Sequence, residues 1–248
     1  MPKLKANMMI DVQAHTRAIA ERLEAVRERI AQACQHAGRH TDEITLVGVT
    51  KTFPVEMVAA AREAGLCDFG ENRVQELTSK AKAMPGAAQN GTLRWHMIGH
   101  LQRNKAKDVV ACADVFHALD SLRLADALDK RAAEAGRVLP CFVQVNVSGE
   151  ASKFGLDPDA VAEVLQRLAE YEHLHVVGLM TLAAPTADPE DVRPQFRRLR
   201  RLFETCGAGR HGPMASLSMG MSGDFEVAIE EGATHVRLGT ILFGRRPG

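Results

Sequence analysis

The sequence predicts an α/β fold, a single closed (β/α)8 barrel of the TIM type with one extra helix at its N-terminus. Three observations predict this fold. Eight short apolar runs rich in β-branched residues follow one another along the chain, and helical patterns separate them. The eight units occupy about 210 residues, somewhat below the roughly 250 typical of such barrels. Strands that alternate with helices form parallel βαβ units. We therefore expect one domain, with residues 1–40 packed as a helix on a barrel of residues 41–248.

The first element is a helix predicted over residues 11–37. Gly38 follows it, and glycine is the usual residue just past the end of a helix. An apolar stripe with helical spacing runs along this segment, and it consists of Val12, Ile19, Leu23, Val26 and Ile30.

The eight strands are predicted after this helix. Each is a short apolar run, most of them bounded by glycine, proline or a polar residue. In chain order they cover residues 44–50, 66–70, 94–99, 114–118, 139–147, 174–181, 215–221 and 234–239.

Helical patterns fill the connections between the strands. Asp157 before Pro158 predicts an N-cap followed by proline at the first helical position, and Pro54 is a candidate for that position in the second helix. Asp188-Pro189 resembles another start, although Pro194 moves the regular helix later. The predicted helices cover residues 54–64, 72–82, 102–112, 121–135, 158–171 and 224–231.

An open, doubly wound sheet is the alternative to a closed barrel. Such a sheet carries a glycine-rich phosphate-binding turn after its first strand. Here the turn reads "TKTFP" and contains no glycine. The sequence therefore favours the barrel.

The composition argues against nucleic acid and membrane partners. Lysine plus arginine and aspartate plus glutamate number 31 each, so no net charge attracts a polyanion. The densest basic run, "FRRLRRLF" at residues 196–203, is predicted as the solvated face of a helix. No segment has the roughly 20 consecutive apolar residues of a membrane helix.

The cysteines occur singly, without the spacing of a zinc site or a CxxC pair. We expect them to be reduced core residues of a cytoplasmic protein, since the N-terminus also has no apolar segment of signal-peptide length. They are Cys34, Cys67, Cys112, Cys141 and Cys206.

Polar residues follow the predicted strands at the end where barrels of this type carry their chemistry. Lys51 comes directly after the first strand, Ser222 after the seventh, and Gly239 and Thr240 after the eighth. The last two strand–helix loops are the usual phosphate-binding loops of the fold. Closure brings the eighth strand to about 4.8 Å from the first, which predicts a phosphate site near Lys51.

Each of these residues also has a plain structural interpretation. A lone lysine such as Lys51 is more often a solvated strand end, and Ser222 alone is more often an N-cap. Arg237 is compatible with an ion pair, and Met180 with a core position. The convergence of several such residues at one rim is what favours a binding site.

A shielded lysine beside a phosphate site has two chemical uses. It can hold the phosphate as a point charge, or its neutral amine can form a Schiff base with a carbonyl. A phosphorylated aldehyde uses both features, and pyridoxal 5′-phosphate is such a ligand, with Arg237 as the partner of its pyridine nitrogen. The alternative is a barrel enzyme that acts on a sugar phosphate, with Lys51 as a simple cation.

From residue 44 onward the chain resembles the family of pyridoxal phosphate homeostasis proteins. The segments that carry the resemblance are "LVGVTKTFP", "DFGENRVQEL", "WHMIGHLQRNK", "VNVSGEASKFGL", "VGLMTLA" and "LSMGMSGDFEVAIEEGATHVRLGTILFG". The resemblance implies a barrel like the N-terminal domain of alanine racemase, with the cofactor held on Lys51 as an internal aldimine.

The stretch from "SMGMS" to "VRLGT" also resembles the cofactor-binding stretch of alanine racemase. It implies phosphate contacts from Ser222, Gly239 and Thr240, and a contact from Arg237 to the ring nitrogen.

Further pocket residues are expected around the ring of the cofactor. The resemblance to the racemase implies that Lys153 lies near the ring hydroxyl. Asn72 and Met180, at the ends of the second and sixth strands, are additional candidates for the pocket.

Departures from the racemase predict weak amino-acid chemistry. The sequence ends at Gly248, where the racemase continues into a domain that supplies a catalytic tyrosine, and Leu182 stands where the racemase has a histidine. Racemisation needs an acid and a base on opposite faces of the substrate. An arginine at the ring nitrogen also disfavours a protonated pyridinium, the stronger electron sink.

We therefore expect a monomeric carrier of pyridoxal 5′-phosphate in the cytoplasm, acting in vitamin B6 homeostasis without strong catalysis. Its expected partners are the cofactor and the apo forms of enzymes that use it, with no nucleic acid, membrane or metal ion. The alternative function is a racemase-like enzyme that depends on the same cofactor.

Overall fold

A computed structural model describes residues 2–84, 93–150, 153–184, 186–206, 208–209 and 212–245 of the chain. Eight parallel strands close into a barrel in the order β1-β10-β9-β6-β5-β4-β3-β2, which confirms the predicted fold. The barrel strands are β1 Thr45–Val49, β2 Asp68–Glu71, β3 Arg94–Met97, β4 Val115–Leu119, β5 Leu139–Gln144, β6 Leu174–Met180, β9 Ser216–Ser218 and β10 His235–Leu238. Two further strands, β7 Ala208–Gly209 and β8 Gly212–Pro213, form a separate antiparallel pair.

Helices lie between the strands and surround the barrel. Four short 3-10 turns accompany them, at Thr41–Glu43, Arg103–Lys105, Pro158–Ala160 and Pro189–Val192. The helices in the described ranges are α1 Pro2–His36, α2 Val55–Glu63, α3 Val74–Ala83, α4 Ala106–Cys112, α5 Leu122–Glu134, α6 Val161–Leu168, α7 Arg193–Cys206, α8 Phe225–Glu230 and α9 Thr240–Phe243.

The closure of the barrel is made by β1 and β10. These strands pair in parallel, with Val47 opposite Arg237 and Gly48 opposite Leu238. The first and last strands are therefore neighbours, as the sequence predicts. Their carboxyl ends bring the turn after β1 next to the loop after β10.

Helix α1 packs across α2, α8 and α9 on the outside of the barrel. It begins at Pro2, nine residues before the predicted start, and its apolar stripe is buried at Ile19, Leu23, Val26 and Ile30. Val12, the first residue of the predicted stripe, has no described side chain. Gly38 has φ 64°, which fits its predicted place past the helix end.

Several predicted helix starts differ from the structure in detail. Pro54 precedes α2 as its N-cap and is not the first helical residue, so that prediction is wrong by one position. Asp157 accepts a hydrogen bond from the backbone N–H of Asp159, as expected of an N-cap. The regular part of α7 begins at Arg193, after the turn at Pro189–Val192, as Pro194 predicts.

The basic run in α7 has the predicted apolar face. Phe196 and Leu199 are buried, while Arg197 pairs with Glu231 of the following helical segment at 2.8 Å. Arg200 pairs with Glu204 in the same way, so Arg197 and Arg200 serve ion pairs on the helix surface. Among the described residues, no helix is long and apolar enough to cross a membrane.

The cysteines are only partly the core residues that the sequence predicts. Cys34 and Cys141 are buried, and burial raises the pKa of the Cys141 thiol to about 12. Cys112 and Cys206 are half-buried and Cys67 is exposed, so the prediction is wrong for Cys67. All five are free thiols.

Candidate functional site

Lys51 lies in the turn after β1 and is half-exposed. Val47 and Val49 are buried in the strand before it, with glycine at position 48 between them. Lys51 follows the end of this strand by two residues and belongs to the turn. The next residue, Thr52, has φ 67°, a left-handed conformation that is strained for a β-branched side chain.

A buried cluster behind the sheet fastens this turn. Lys80 of α3 donates hydrogen bonds from Nζ to the carbonyl oxygen of Thr50 at 2.7 Å and to Glu71 Oε1 at 2.5 Å. The hydroxyl of Thr50 donates to the same carboxylate oxygen. Glu76 accepts a 2.6 Å hydrogen bond from the backbone N–H of Thr52. The residues on both sides of Lys51 are thus held by side chains from β2 and α3.

Burial is the main influence on Glu71. It raises the pKa of this carboxyl, although the hydrogen bonds from Lys80 and Thr50 lower it. One of its oxygens, Oε2, is buried without a hydrogen-bond partner in the described part of the chain. The ammonium group of Lys80 is therefore the main partner that stabilises a negative charge on the buried Glu71.

The loops after β9 and β10 meet at Ser222. Its Oγ accepts a 3.3 Å hydrogen bond from the backbone N–H of Gly239, so Ser222 and Gly239 are neighbours, as predicted. Ser222 is not an N-cap, because α8 begins at Phe225 and Asp224 precedes it. Strand β9 ends at Ser218, earlier than predicted, and the chain turns at Gly220 with φ 93°.

Gly239 also approaches β1. A Cβ at this position would lie 3.4 Å from the carbonyl oxygen of Val49, two residues before Lys51. Thr240 follows as the exposed first residue of α9. Helices α8 and α9 have only six and four residues, so individual N–H groups and hydroxyls must provide any anion binding here.

Arg237 is buried on β10. Its guanidinium donates to Ser218 Oγ at 2.6 Å and to the carbonyl oxygen of Thr181 at 2.8 Å. Burial lowers the pKa of Arg237 to about 10, partly offset by Asp224. The side chain remains charged at neutral pH, with part of its hydrogen-bonding capacity unused by these two contacts.

The remaining candidates lie at the ends of other strands. Asn72, just after β2, has a buried side-chain oxygen without a hydrogen-bond partner among the described residues. Met180 is fully buried at the end of β6. Lys153 Nζ lies 3.0 Å from Glu150, in an ion pair that lacks hydrogen-bond geometry.

Sequence reasoning missed a polar group inside the barrel. It consists of Asp68, His96, His117 and Ser218, all buried, and it reaches Arg237. The available signal was their place in strands between apolar neighbours, where one face of each strand points into the barrel. Lys80 was missed because it resembles any surface lysine of an amphipathic helix.

Comparison with known proteins defines the class of the barrel. The sequence profile of the family described as "Alanine racemase, N-terminal domain" matches residues 22–247. An alanine racemase from Clostridium difficile 630, in complex with cycloserine, superposes with a TM-score of 0.64. It is 18% identical over 90% of this chain and 60% of the racemase chain, which shows a shared fold. The protein is therefore a barrel of the alanine racemase N-terminal class.

Relatives with higher identity narrow this class. A pyridoxal phosphate homeostasis protein from Aquifex aeolicus strain VF5 is 44% identical over 91% of this chain and 97% of its own. The protein of the same name from Escherichia coli strain K12 is 41% identical over 92% and 97% of the two chains. The chain belongs to the family of pyridoxal phosphate homeostasis proteins, which confirms the resemblance seen in the sequence.

A solved structure of this kind carries a ligand. PipY of Synechococcus elongatus PCC7942, whose structure has PLP bound, superposes with a TM-score of 0.77 and 33% identity. The match covers 91% of this chain and all of that one.

Proposed function

We propose that the protein binds pyridoxal 5′-phosphate on Lys51 and serves the homeostasis of this cofactor as a carrier or buffer. The observation that carries the proposal is the barrel closure, which sets the turn of Lys51 beside Gly239 and its partner Ser222. Relatives named for this role and the PLP-bound structure of PipY support it.

The residues at this rim fit the chemistry of the cofactor. A phosphate group suits the hydroxyls of Ser222 and Thr240 and the first N–H groups of α9, which have no partner within the helix. The buried, unpaired oxygen of Asn72 suits a hydrogen-bond donor on a ligand, such as a ring hydroxyl. Arg237 has N–H groups to offer to a ring nitrogen.

Lys51 is the proposed attachment point because the backbone on both sides of it is held in place. In our proposal its Nζ would hold the cofactor through the aldehyde. The tied backbone at Thr50 and Thr52 limits how far the amine can move. When bound, the cofactor would supply its aldehyde and an electron-accepting ring.

The surroundings favour a carrier over an efficient catalyst. Arg237 is held by Ser218 and the carbonyl of Thr181, and it stays protonated at neutral pH because its pKa is about 10. A charged arginine at the ring nitrogen opposes protonation of that nitrogen and so weakens the electron sink. Leu182 stands at the histidine position of the racemase. Its side chain is 38% exposed and has no group that can donate or accept a proton.

The decisive experiment locates the attachment of the cofactor. Purified protein is loaded with pyridoxal 5′-phosphate, reduced with borohydride and digested, and we expect the added mass on the Lys51 peptide. Lys51→Ala should lose both this mass and the absorption band of the Schiff base. Lys107→Ala, a change of an exposed lysine on α4, should keep both. A band retained in Lys51→Ala would overturn the proposal.

The proposal extends to transfer of the cofactor in the cytoplasm, by a monomer, to apo-enzymes that require it. Loaded protein should activate such an apo-enzyme even in the presence of a phosphatase that destroys free cofactor. Activation no faster than from free cofactor would contradict a carrier. Sustained stereochemical inversion of free amino acids would instead support the racemase-like alternative. Deuterium exchange at Cα is the measurement that detects it.

A further inference from the structure

A continuous row of hydrogen bonds crosses the inside of the barrel and ends at Arg237. His96 Nε2 lies 2.8 Å from Asp68 Oδ1, and His96 Nδ1 lies 2.9 Å from His117 Nε2. His117 Nδ1 lies 2.9 Å from Ser218 Oγ, which accepts from Arg237 at 2.6 Å. We call these five residues the barrel relay.

The barrel relay crosses the interior of the barrel. Asp68 is the first residue of β2, at the amino end of the strands, whereas Ser218 is the last residue of β9. Strands β4 and β9 are not neighbours in the sheet, so the contact between His117 and Ser218 spans the barrel interior. Most barrel interiors are filled by branched apolar side chains, and a polar row in that place needs an explanation.

One set of proton positions satisfies every hydrogen bond of the relay with neutral rings. A guanidinium only donates, and an ionised carboxylate only accepts. Ser218 accepts from Arg237 and has one proton of its own, which can go to His117 Nδ1. His117 then donates from Nε2 to His96 Nδ1, and His96 donates from Nε2 to Asp68. In this arrangement both imidazoles carry their proton on Nε2.

The surroundings support this neutral arrangement. Burial lowers the pKa of His117 well below its usual value, which favours a neutral ring at this position. Burial also lowers the pKa of His235, whose ring centre lies 6.0 Å from that of His117, to about 3.

The amino end of the relay is anchored by a carboxylate. Hydrogen bonds from His96 and Arg94 lower the pKa of Asp68, although burial alone raises it. Arg94 contacts both oxygens of Asp68, at 2.8 and 2.9 Å. Asp224, near Arg237, is the other carboxylate that acts on the guanidinium end.

We infer that the barrel relay positions Arg237 and couples the negative charge of Asp68, buried inside the barrel, to the ligand site at the carboxyl ends of the strands. Arg237 keeps a fixed orientation because Ser218 and Thr181 occupy two of its donors on one side. The residues of the relay are positioning residues, and the coupling to bound cofactor rests on the proposed function.

The first test needs no cofactor. In protein labelled with 15N-histidine, assigned with His96→Gln and His117→Gln, both rings should be neutral near pH 7 with the proton on Nε2. A ring protonated on Nδ1, or on both nitrogens, would overturn the relay.

The second test uses the cofactor-loaded protein and two matched variants. Asp68→Asn removes the charge of the relay, whereas Asp114→Asn makes the same change at a carboxylate that accepts from the backbone of Trp95 outside the relay. Loss of the negative charge disfavours a protonated Schiff base, so Asp68→Asn should lower the pH midpoint of the absorption band. We expect a fall of about half a unit, roughly threefold in proton affinity.

The results of these tests distinguish a failure of the relay coupling from a failure of the proposed function. Equal midpoints in Asp68→Asn, Asp114→Asn and the natural protein would overturn the coupling. A natural protein without any Lys51-dependent band would contradict the proposed function, and the histidine spectrum of the cofactor-free protein would then decide the relay by itself.

Discussion

The Nζ of Lys80 lies 2.7 Å from the carbonyl oxygen of Thr50, the residue that precedes Lys51. Lys80 is itself 6% exposed and is paired with Glu71, which is fully buried. The protein thus places a second lysine in the layer between β2 and α3, where it holds the strand end. The two lysines have separate tasks, one at the rim of the barrel and one in the support behind it.

Replacing Lys80 should destabilise the protein strongly. Lys80→Met leaves the carboxylate of Glu71 buried and uncompensated, which typically costs ~3–5 kcal/mol. Urea unfolding should show a loss of this size in the free energy of unfolding. Lys82→Met, an exposed position on the same helix, is the control and should change stability by less than about 0.5 kcal/mol. Equal losses in the two variants would refute the supporting role of Lys80.

The turn of Lys51 stores backbone strain at Thr52. Its φ of 67° is easy for glycine and unfavourable for a residue with a Cβ. Thr52→Gly should therefore be more stable than Thr52→Ala by about 1 kcal/mol, since alanine loses the threonine side chain but keeps the strain. The pair of variants separates backbone strain from side-chain contacts. A Thr52→Gly protein less stable than Thr52→Ala would show that Thr52 is relaxed.

The fold was predictable because its signals are local. The apolar runs, the prolines at helix starts and Gly38 after α1 can each be recognised within a few residues of sequence. The apolar runs located the eight barrel strands. The predicted strand boundaries were less accurate where tertiary contacts determine the end of a strand. Strand β9 is shorter than its apolar run because the chain turns at Gly220 to reach Ser222.

The site was predictable only where barrel topology determines it. Closure relates Lys51 to Gly239 without knowledge of any side-chain contact. The barrel relay depends on contacts between residues up to 101 positions apart, such as His117 and Ser218. A single sequence contains no pattern for such pairs, and the same holds for the bond between Lys80 and Thr50.

Close packing of β6 against β9 makes Gly178 sensitive to substitution. A Cβ at Gly178 would lie 1.7 Å from the carbonyl oxygen of Ser216, so the backbone itself must move. Gly178→Ala should lower the free energy of unfolding by ~3 kcal/mol or more, in the range of overpacking. Gly223→Ala has open space around its Cβ and should be nearly neutral. Thermal unfolding of both variants checks this, and a stable Gly178→Ala would contradict the packing.

Acid should destabilise the barrel through His235. Burial lowers the pKa of His235 to about 3 in the folded state, against about 6.5 in the unfolded chain. As the pH falls below about 6.5, His235 becomes protonated in the unfolded chain. In the folded protein it stays neutral until about pH 3, so the free energy of unfolding declines between these two pH values. From pH 7 to 5 the loss from His235 should be ~2 kcal/mol. His235→Gln should show a smaller decline in urea unfolding, and an unchanged decline would contradict the assignment.

Ser222 offers a test of the phosphate contact that is separate from stability. Its Oγ accepts from the N–H of Gly239, whereas Ser121 Oγ accepts from Leu124 at the start of α5. Ser121→Ala should cost about 1 kcal/mol of stability, as for a lost N-cap, without affecting pyridoxal 5′-phosphate. Ser222→Ala should weaken retention of the cofactor by ~1.5–3 kcal/mol, the range for one hydrogen bond to a charged group. Equilibrium dialysis measures this retention. If both alanine variants retained the cofactor equally well, Ser222 would only tie the loop after β9 to the end of β10, and the phosphate contacts would fall to Thr240 and its neighbouring N–H groups.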